Sequence, residues 1–113
     1  MIGTVDLVVA GTASAARAPA ISALRRGQRV LVVLGSADAR VARRLRRILL
    51  RIADAGGGQL RVITSAEVVC VDGVDGVEAV VVRHAPTGRL SAVNAAAFLS
   101  CDGDHRRPRL VTR

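Results

Sequence analysis

Lysine, tryptophan and tyrosine are missing from this chain altogether, and phenylalanine occurs once, at Phe98. Stacking platforms need aromatic side chains, so the chain is a poor candidate for holding unpaired bases or a flavin ring face by stacking. Long apolar runs are missing as well. Asp6, Arg17, Arg25 and Arg29 interrupt the N-terminal apolar region well short of the roughly 18 to 20 residues of a membrane span. No basic stretch precedes that region, as a signal peptide would require, so a cytoplasmic location with no membrane contact is expected. Cysteine is scarce: Cys70 and Cys101 are far apart and form no Cys-x-x-Cys pair, which leaves no dithiol motif and no zinc spacing. Both lie in apolar, strand-like runs and are expected to be buried core thiols.

What is present is enough for a folded body. The chain has 113 residues, of which 50% are hydrophobic and 23% charged, a balance that builds one small globular domain. Seventeen arginines face nine acidic residues, giving a formal charge of +8. Arginine without lysine, in a chain rich in alanine and valine, reads first as a bias towards GC-rich codons.

Thr4 to Ala10 is a short apolar run that ends at Gly11 and reads as a buried strand. Gly11 to Gly27 is rich in small residues and closes on two arginines and a glycine, the ending of a helix. Arg29 to Leu34 is a second apolar run stopped by Gly35, which completes a βαβ unit. From Ser36 to Ala55, Val41, Leu45, Ile48, Leu49 and Ile52 recur near every 3.6 residues, while Arg40, Arg43, Arg44, Arg46, Arg47 and Arg51 fill most other positions. That is an amphipathic helix, with Ser36 or Asp38 as N-cap and Gly56 to Gly58 as its stop. Leu60–Thr64 is a further apolar run, and the valine-rich runs Glu67–Val71, Val77–Arg83 and Arg89–Val93, broken by Asp-Gly and Thr-Gly, predict an antiparallel meander. A last run, Ala95 to Cys101, ends at Asp102 and Gly103, and residues 105–113 form a basic, exposed tail behind a domain of residues 1–104.

The chemistry is concentrated after the first strand. A glycine at the mouth of a helix lets the backbone approach a pyrophosphate, and the helix N-terminus offers N–H donors and a positive dipole end. Gly11, Thr12, Ala13, Ser14, Ala15 and Ala16 fill that loop. The usual fingerprint has glycine where Ala13 and Ala16 stand, and an acid for the ribose where Leu34 stands. The Ala13 methyl is expected to point where phosphate must come close, whereas alanine at Ala16 is a mild departure. Pro19 would clash with the Ala15 carbonyl inside a helix, so the helix is expected to start late, near Arg17 or Ala18. His84 and His105 have no nucleophile or paired carboxylate nearby in sequence and read as surface histidines. Glu67 and Glu78 read as outward strand positions. Asp72, Asp75 and Gly76 read as a turn, because no glutamate follows at calcium-loop spacing.

The string DLVVAGTASAARAPAISALRRGQRVLVVL resembles the N-terminal βαβ unit of the FAD/NAD(P)-binding flavoprotein superfamily, with Gly11 and Gly27 at that family's separation. The stretch from Leu45 to Gly103 is similar to the later part of the same domain: a helix, a strand giving T-x-x-x-V, a meander and a closing strand. The resemblance covers nearly the whole chain and extends to thioredoxin-reductase-like proteins. It implies an α/β, three-layer dinucleotide-binding fold: a short parallel sheet, flanking helices and an antiparallel β-meander crossover. It also implies FAD, or NAD(P), as cofactor. Gly11 to Ala16 would lie at the pyrophosphate, Leu34, Gly35 and Ser36 near the ribose, Val68 near the adenine, and Asp102 and Gly103 near the cofactor's other end. Arginines that would hold a 2′-phosphate after the second strand are replaced by Gly35 and Ser36.

Complete members of these families are several times longer. The implied function is therefore a minimal or degenerate dinucleotide-binding domain of an oxidoreductase, incomplete as a catalyst on its own. A second subunit would supply the substrate domain, and oligomerisation is expected. No catalytic residue and no metal ligand can be named. Two other readings stand beside it: a non-catalytic interaction or assembly protein that uses the arginine-rich helix, and a basic nucleic-acid-associated protein. No nucleic-acid motif accompanies the charge, which ranks the last reading third.

Overall fold

The computed structural model describes residues 4–35, 39–73, 76–101 and 109–112. In chain order the elements are β1 (Thr4–Gly11), α1 (Ala13–Arg25), β2 (Arg29–Leu34), α2 (Ala39–Gly56), β3 (Gln59–Ile63), β4 (Ala66–Asp72), β5 (Ala79–His84), β6 (Leu90–Cys101) and β7 (Arg109–Thr112). They form one mixed sheet in the order β3-β2-β1-β6-β5-β4, with β7 added beside β6. The β3-β2, β2-β1 and β1-β6 pairs are parallel, and β4-β5 and β5-β6 are antiparallel.

Three layers follow from side-chain alternation along the parallel strands. Leu7 and Val9 of β1 and Val30, Val32 and Leu34 of β2 point to one face. There they meet Ala16, Ala20, Ala23 and Leu24 of α1 and Ala42, Leu45, Leu49 and Ala53 of α2. Val8 and Ala10, with Leu31 and Val33, point to the other face and pack with Val80, Val82 and Val93 of the meander, together with Phe98. The single aromatic ring is therefore core material. The fold class implied by the resemblance is the observed one.

Four local expectations give way. First, α1 begins at Ala13, not near Arg17 or Ala18. Thr12 caps it: its Oγ1 accepts the Ala15 N–H at 3.2 Å and its carbonyl accepts the Ala16 N–H at 2.9 Å. This cap fixes the first turn ahead of Pro19, which sits inside the helix and leaves the Ala15 carbonyl without its usual i+4 donor. Second, Arg89–Val93 and Ala95–Cys101 are one continuous strand. Asn94 pairs with both Thr4 and Ala79, so β6 passes from the meander into the parallel sheet without a break. Third, part of the tail is ordered as β7, because β6 leaves an edge beyond β5 with which Arg109–Thr112 pairs antiparallel. Fourth, Cys101 is buried but Cys70 is exposed. Cys70 lies on β4, the outermost strand of the sheet, where a bulge between Val68 and Cys70 shifts the register.

The glycines after α2 do more than stop the helix. A Cβ at Gly56 would lie 2.6 Å from the Leu24 carbonyl oxygen, so this residue lets the end of α2 close onto the end of α1. At the opposite end of the sheet from the phosphate-type loop, Asp6 accepts from the Arg29 N–H at 2.8 Å and from its guanidinium at 3.3 Å, tying β1 to β2.

Candidate dinucleotide site at the carboxyl end of the sheet

The parallel strands end level. Gly11 pairs with Leu34 on one side and with Cys101 on the other, so the ends of β1, β2 and β6 form one row from which α1 departs. This is the crevice outside the carboxyl ends of the strands where open α/β sheets bind ligands. Gly11 has φ +151°, and a Cβ there would lie 2.1 Å from the Cys101 carbonyl oxygen. The close approach of β6 thus explains this glycine before any phosphate is considered.

The loop residues divide by direction. Thr12 and Ser14 are exposed at the helix mouth, whereas Ala16 is fully buried between α1 and the sheet. Ala16 therefore serves helix-to-sheet packing. Ala13 and Ala15 are half-buried and pack against the helix-side cluster. The Ala13 methyl packs on apolar groups of that cluster while the residue stays partly exposed at the helix mouth. In the first turn the Ala15 and Ala16 N–H groups are engaged by Thr12, and those of Ala13 and Ser14 are N-terminal donors with no intrahelical acceptor. A 13-residue helix directs its positive end there.

On the ribose side, Leu34 is fully buried in the helix-side cluster, so its side chain is closed to a ligand and only the chain end beyond it, at Gly35, is exposed. A cavity of about 570 Å³ opens beside it, lined by Gly35, Ser65, Ala66, Glu67, Ala85 and Pro86. Ser65 builds this wall. At φ +52° it donates its N–H to the Gly35 carbonyl at 3.0 Å and accepts the Ala85 N–H at 2.8 Å, pinning the end of β2 to the meander. Val68 is half-buried against the meander-side cluster, just beyond the cavity-lining Ala66 and Glu67. Glu67 is exposed as expected and pairs with Arg83 across the hairpin. Ser36, Asp102, Gly103 and His105 lie outside the described residues.

Sequence reasoning missed Ser65, Glu67 and Pro86 as site residues. The only signal available was that they flank the meander's first strand and its second turn. His84 is half-buried, with Nδ1 3.2 Å from Thr87 Oγ1. Among the described residues no group of three or more His, Cys, Asp or Glu side chains comes together as a metal set. No helix among them is long and apolar enough to cross a membrane.

The architecture defines the class: a three-layer α/β fold in which β1, β2 and β6 end together at Gly11, Leu34 and Cys101. The sequence matches no family model and no curated protein. Solved structures do match. The chain is similar to the myxobacterial chondrochloren halogenase CndH, a variant of FAD-dependent halogenases, with a TM-score of 0.66 and 16% identity, over 95% of this chain and 39% of that one. It is also similar to the flavin-dependent monooxygenase PieE, solved with FAD and substrate, with a TM-score of 0.61 and 16% identity, over 90% of this chain and 30% of that one. A third similar structure is RebC-10x with bound 7-carboxy-K252c, at TM-score 0.58 and 16% identity, covering 90% of this chain and 32% of that one. The chain thus spans between about a third and two fifths of the length of these structures. The shared property is the fold.

Proposed function

We propose that this chain binds FAD through its ADP portion and serves as the dinucleotide-binding part of a flavin-dependent oxidoreductase, with the substrate pocket contributed by further polypeptide. The observation that carries this reading is the level row Gly11–Leu34–Cys101 with the capped start of α1 directly above it. The residues fit the group. The packed Ala13 methyl, the free Ala13 and Ser14 N–H donors and the exposed Ser14 suit a pyrophosphate, and the cavity beside Gly35 suits adenosine. Glu67 is the one carboxylate lining that cavity, and a ribose there would share it with Arg83. FAD, when bound, supplies the redox chemistry; the chain's residues bind and orient it. NAD(P) is the competing ligand of the same crevice.

Titration with FAD, NAD and NADP, followed by thermal melting, tests the proposal. FAD at about a hundred times its dissociation constant stabilises the fold by about 2.7 kcal/mol. Ser14→Asp separates ligand from fold: an acid in the first turn of a helix favours the helix by about 0.3 to 1 kcal/mol but repels a pyrophosphate. The expected result is an unchanged or higher melting temperature without ligand and a lost FAD response. No melting response to FAD at millimolar concentration would refute the reading, and a response to NADP alone would transfer it to a nicotinamide domain.

A further inference from the structure

The charge of this protein is segregated by layer. Nine of the seventeen arginines lie on α1, its C-cap Arg26 and α2, against one acid, Asp54, so the helical layer carries a formal +8. The other eight arginines are matched by eight acidic residues, leaving the rest of the chain neutral. All nine helical-layer arginines are exposed. On α2 the segregation is sharper still. At 100° per residue, Arg40, Arg43, Arg44, Arg47 and Arg51 fall on one face, opposite the buried Ala42, Leu45, Leu49 and Ala53. From Arg40 to Arg51 this stripe runs about 16 Å along the helix.

We infer that this helical face binds the phosphate backbone of double-stranded nucleic acid without reading its sequence. Along about 16 Å of its axis a duplex carries about ten phosphate charges on its two strands, one per roughly 1.7 Å, more than enough for the exposed guanidinium groups of Arg43, Arg44, Arg47 and Arg51. Guanidinium groups pair with phosphate in a fixed fork geometry. An acidic protein surface fits this face less well. Protein interfaces concentrate apolar and aromatic anchors in a centre depleted of charge. Here Val41, 48% exposed, is the one large exposed hydrophobic of the helical layer among the described residues, and the only ring, Phe98, is packed on the sheet's opposite side. The lack of aromatic platforms likewise disfavours single strands, whose bases need rings to stack on. Affinity on such a face comes from counterion release, which needs no apolar centre. This inference is independent of FAD binding, which uses the crevice at the strand ends.

Fluorescence anisotropy of a short labelled duplex DNA of scrambled sequence, titrated with the full chain over a salt series, tests it. Four phosphate contacts, from Arg43, Arg44, Arg47 and Arg51, give a slope of log K against log salt of about −3.6, a weakening of about 150-fold between about 50 and 200 mM salt. Arg47→Gln with Arg51→Gln removes two contacts, so the slope falls to about −1.8 and the same salt step weakens binding only about 12-fold. Glutamine keeps helix propensity close to that of arginine, and an unchanged melt shows that the fold is intact. The matched control is Arg61→Gln with Arg89→Gln, exposed positions on β3 and on the connection just before β6 that remove the same net charge; its slope stays near that of the parent chain. Equal slope losses in the two pairs, or a parent slope shallower than about −2, would overturn the inference. Displacement of the duplex by polyglutamate at equal charge concentration would also overturn it and assign the face to an acidic protein.

Discussion

Replacing Gly11 with alanine asks whether this glycine exists for a ligand or for the fold. The added Cβ would lie 2.1 Å from the Cys101 carbonyl oxygen and 2.6 Å from its carbon, against a comfortable separation of roughly 3.5 Å. Both obstructing atoms are backbone, so no side-chain rotation relieves the overlap. The end of β1 must move away from β6 by about 1 Å, loosening the last rung of the ladder at about 1 kcal/mol per weakened hydrogen bond. Alanine held at φ +151° adds about 1 to 3 kcal/mol of backbone strain. A loss of about 3 kcal/mol is a large share of the 5 to 15 kcal/mol typical of a domain. For a chain of this size it lowers the melting temperature by about 12 °C. Circular dichroism melts and urea unfolding of the ligand-free variant measure it. A variant that melts with the parent chain and loses only FAD binding would refute the reasoning and return Gly11 to the ligand.

Two further expectations concern groups away from the crevice. The hydrogen bonds from the Arg29 side chain and backbone hold the Asp6 carboxyl below its ordinary value of 3.8. Asp6 therefore stabilises the fold above that value, and the contribution is lost as pH falls through the depressed folded pKa. The stability difference in urea between the parent chain and Asp6→Asn should shrink as pH falls below 3.8, whereas a difference that stays constant as acid is added would refute the linkage. Cys70 should react with a thiol reagent in the native protein at close to the rate of a free thiol, while Cys101 reacts only after denaturation. Mass spectrometry reporting equal protection of both cysteines would contradict the edge position of β4.

Much of the architecture was legible because its signals are local. The βαβ opening lies in two apolar runs separated by a small-residue helix. The inward and outward faces of α2 lie in a 3.6-residue period, and the hairpin turn lies in Asp72-Gly73. The candidate site was legible in part: the loop Gly11 to Ala16 was located, but its side-chain directions were not. Ala13 packs against the helix-side cluster because the Thr12 cap starts α1 four or five residues earlier than Pro19 suggested. The cavity residues Ser65, Glu67 and Pro86 had no sequence signature, since they meet Gly35 only when the meander folds back onto the end of β2.

The sequence by itself determined the order and type of most elements, the amphipathic helix and the excess of arginine, because caps, turns and periodicity are set by residues within a few positions of one another. Only the tertiary structure decided which strand is an edge, and so which cysteine is exposed. It also showed that β6 is continuous and that Gly11 faces Cys101, ninety residues away. Pairing and packing between distant segments leave no local periodicity. The same holds for the charge: its total is in the composition, but among the described residues the gathering of nine arginines on one layer follows from both helices packing on a single face of the sheet.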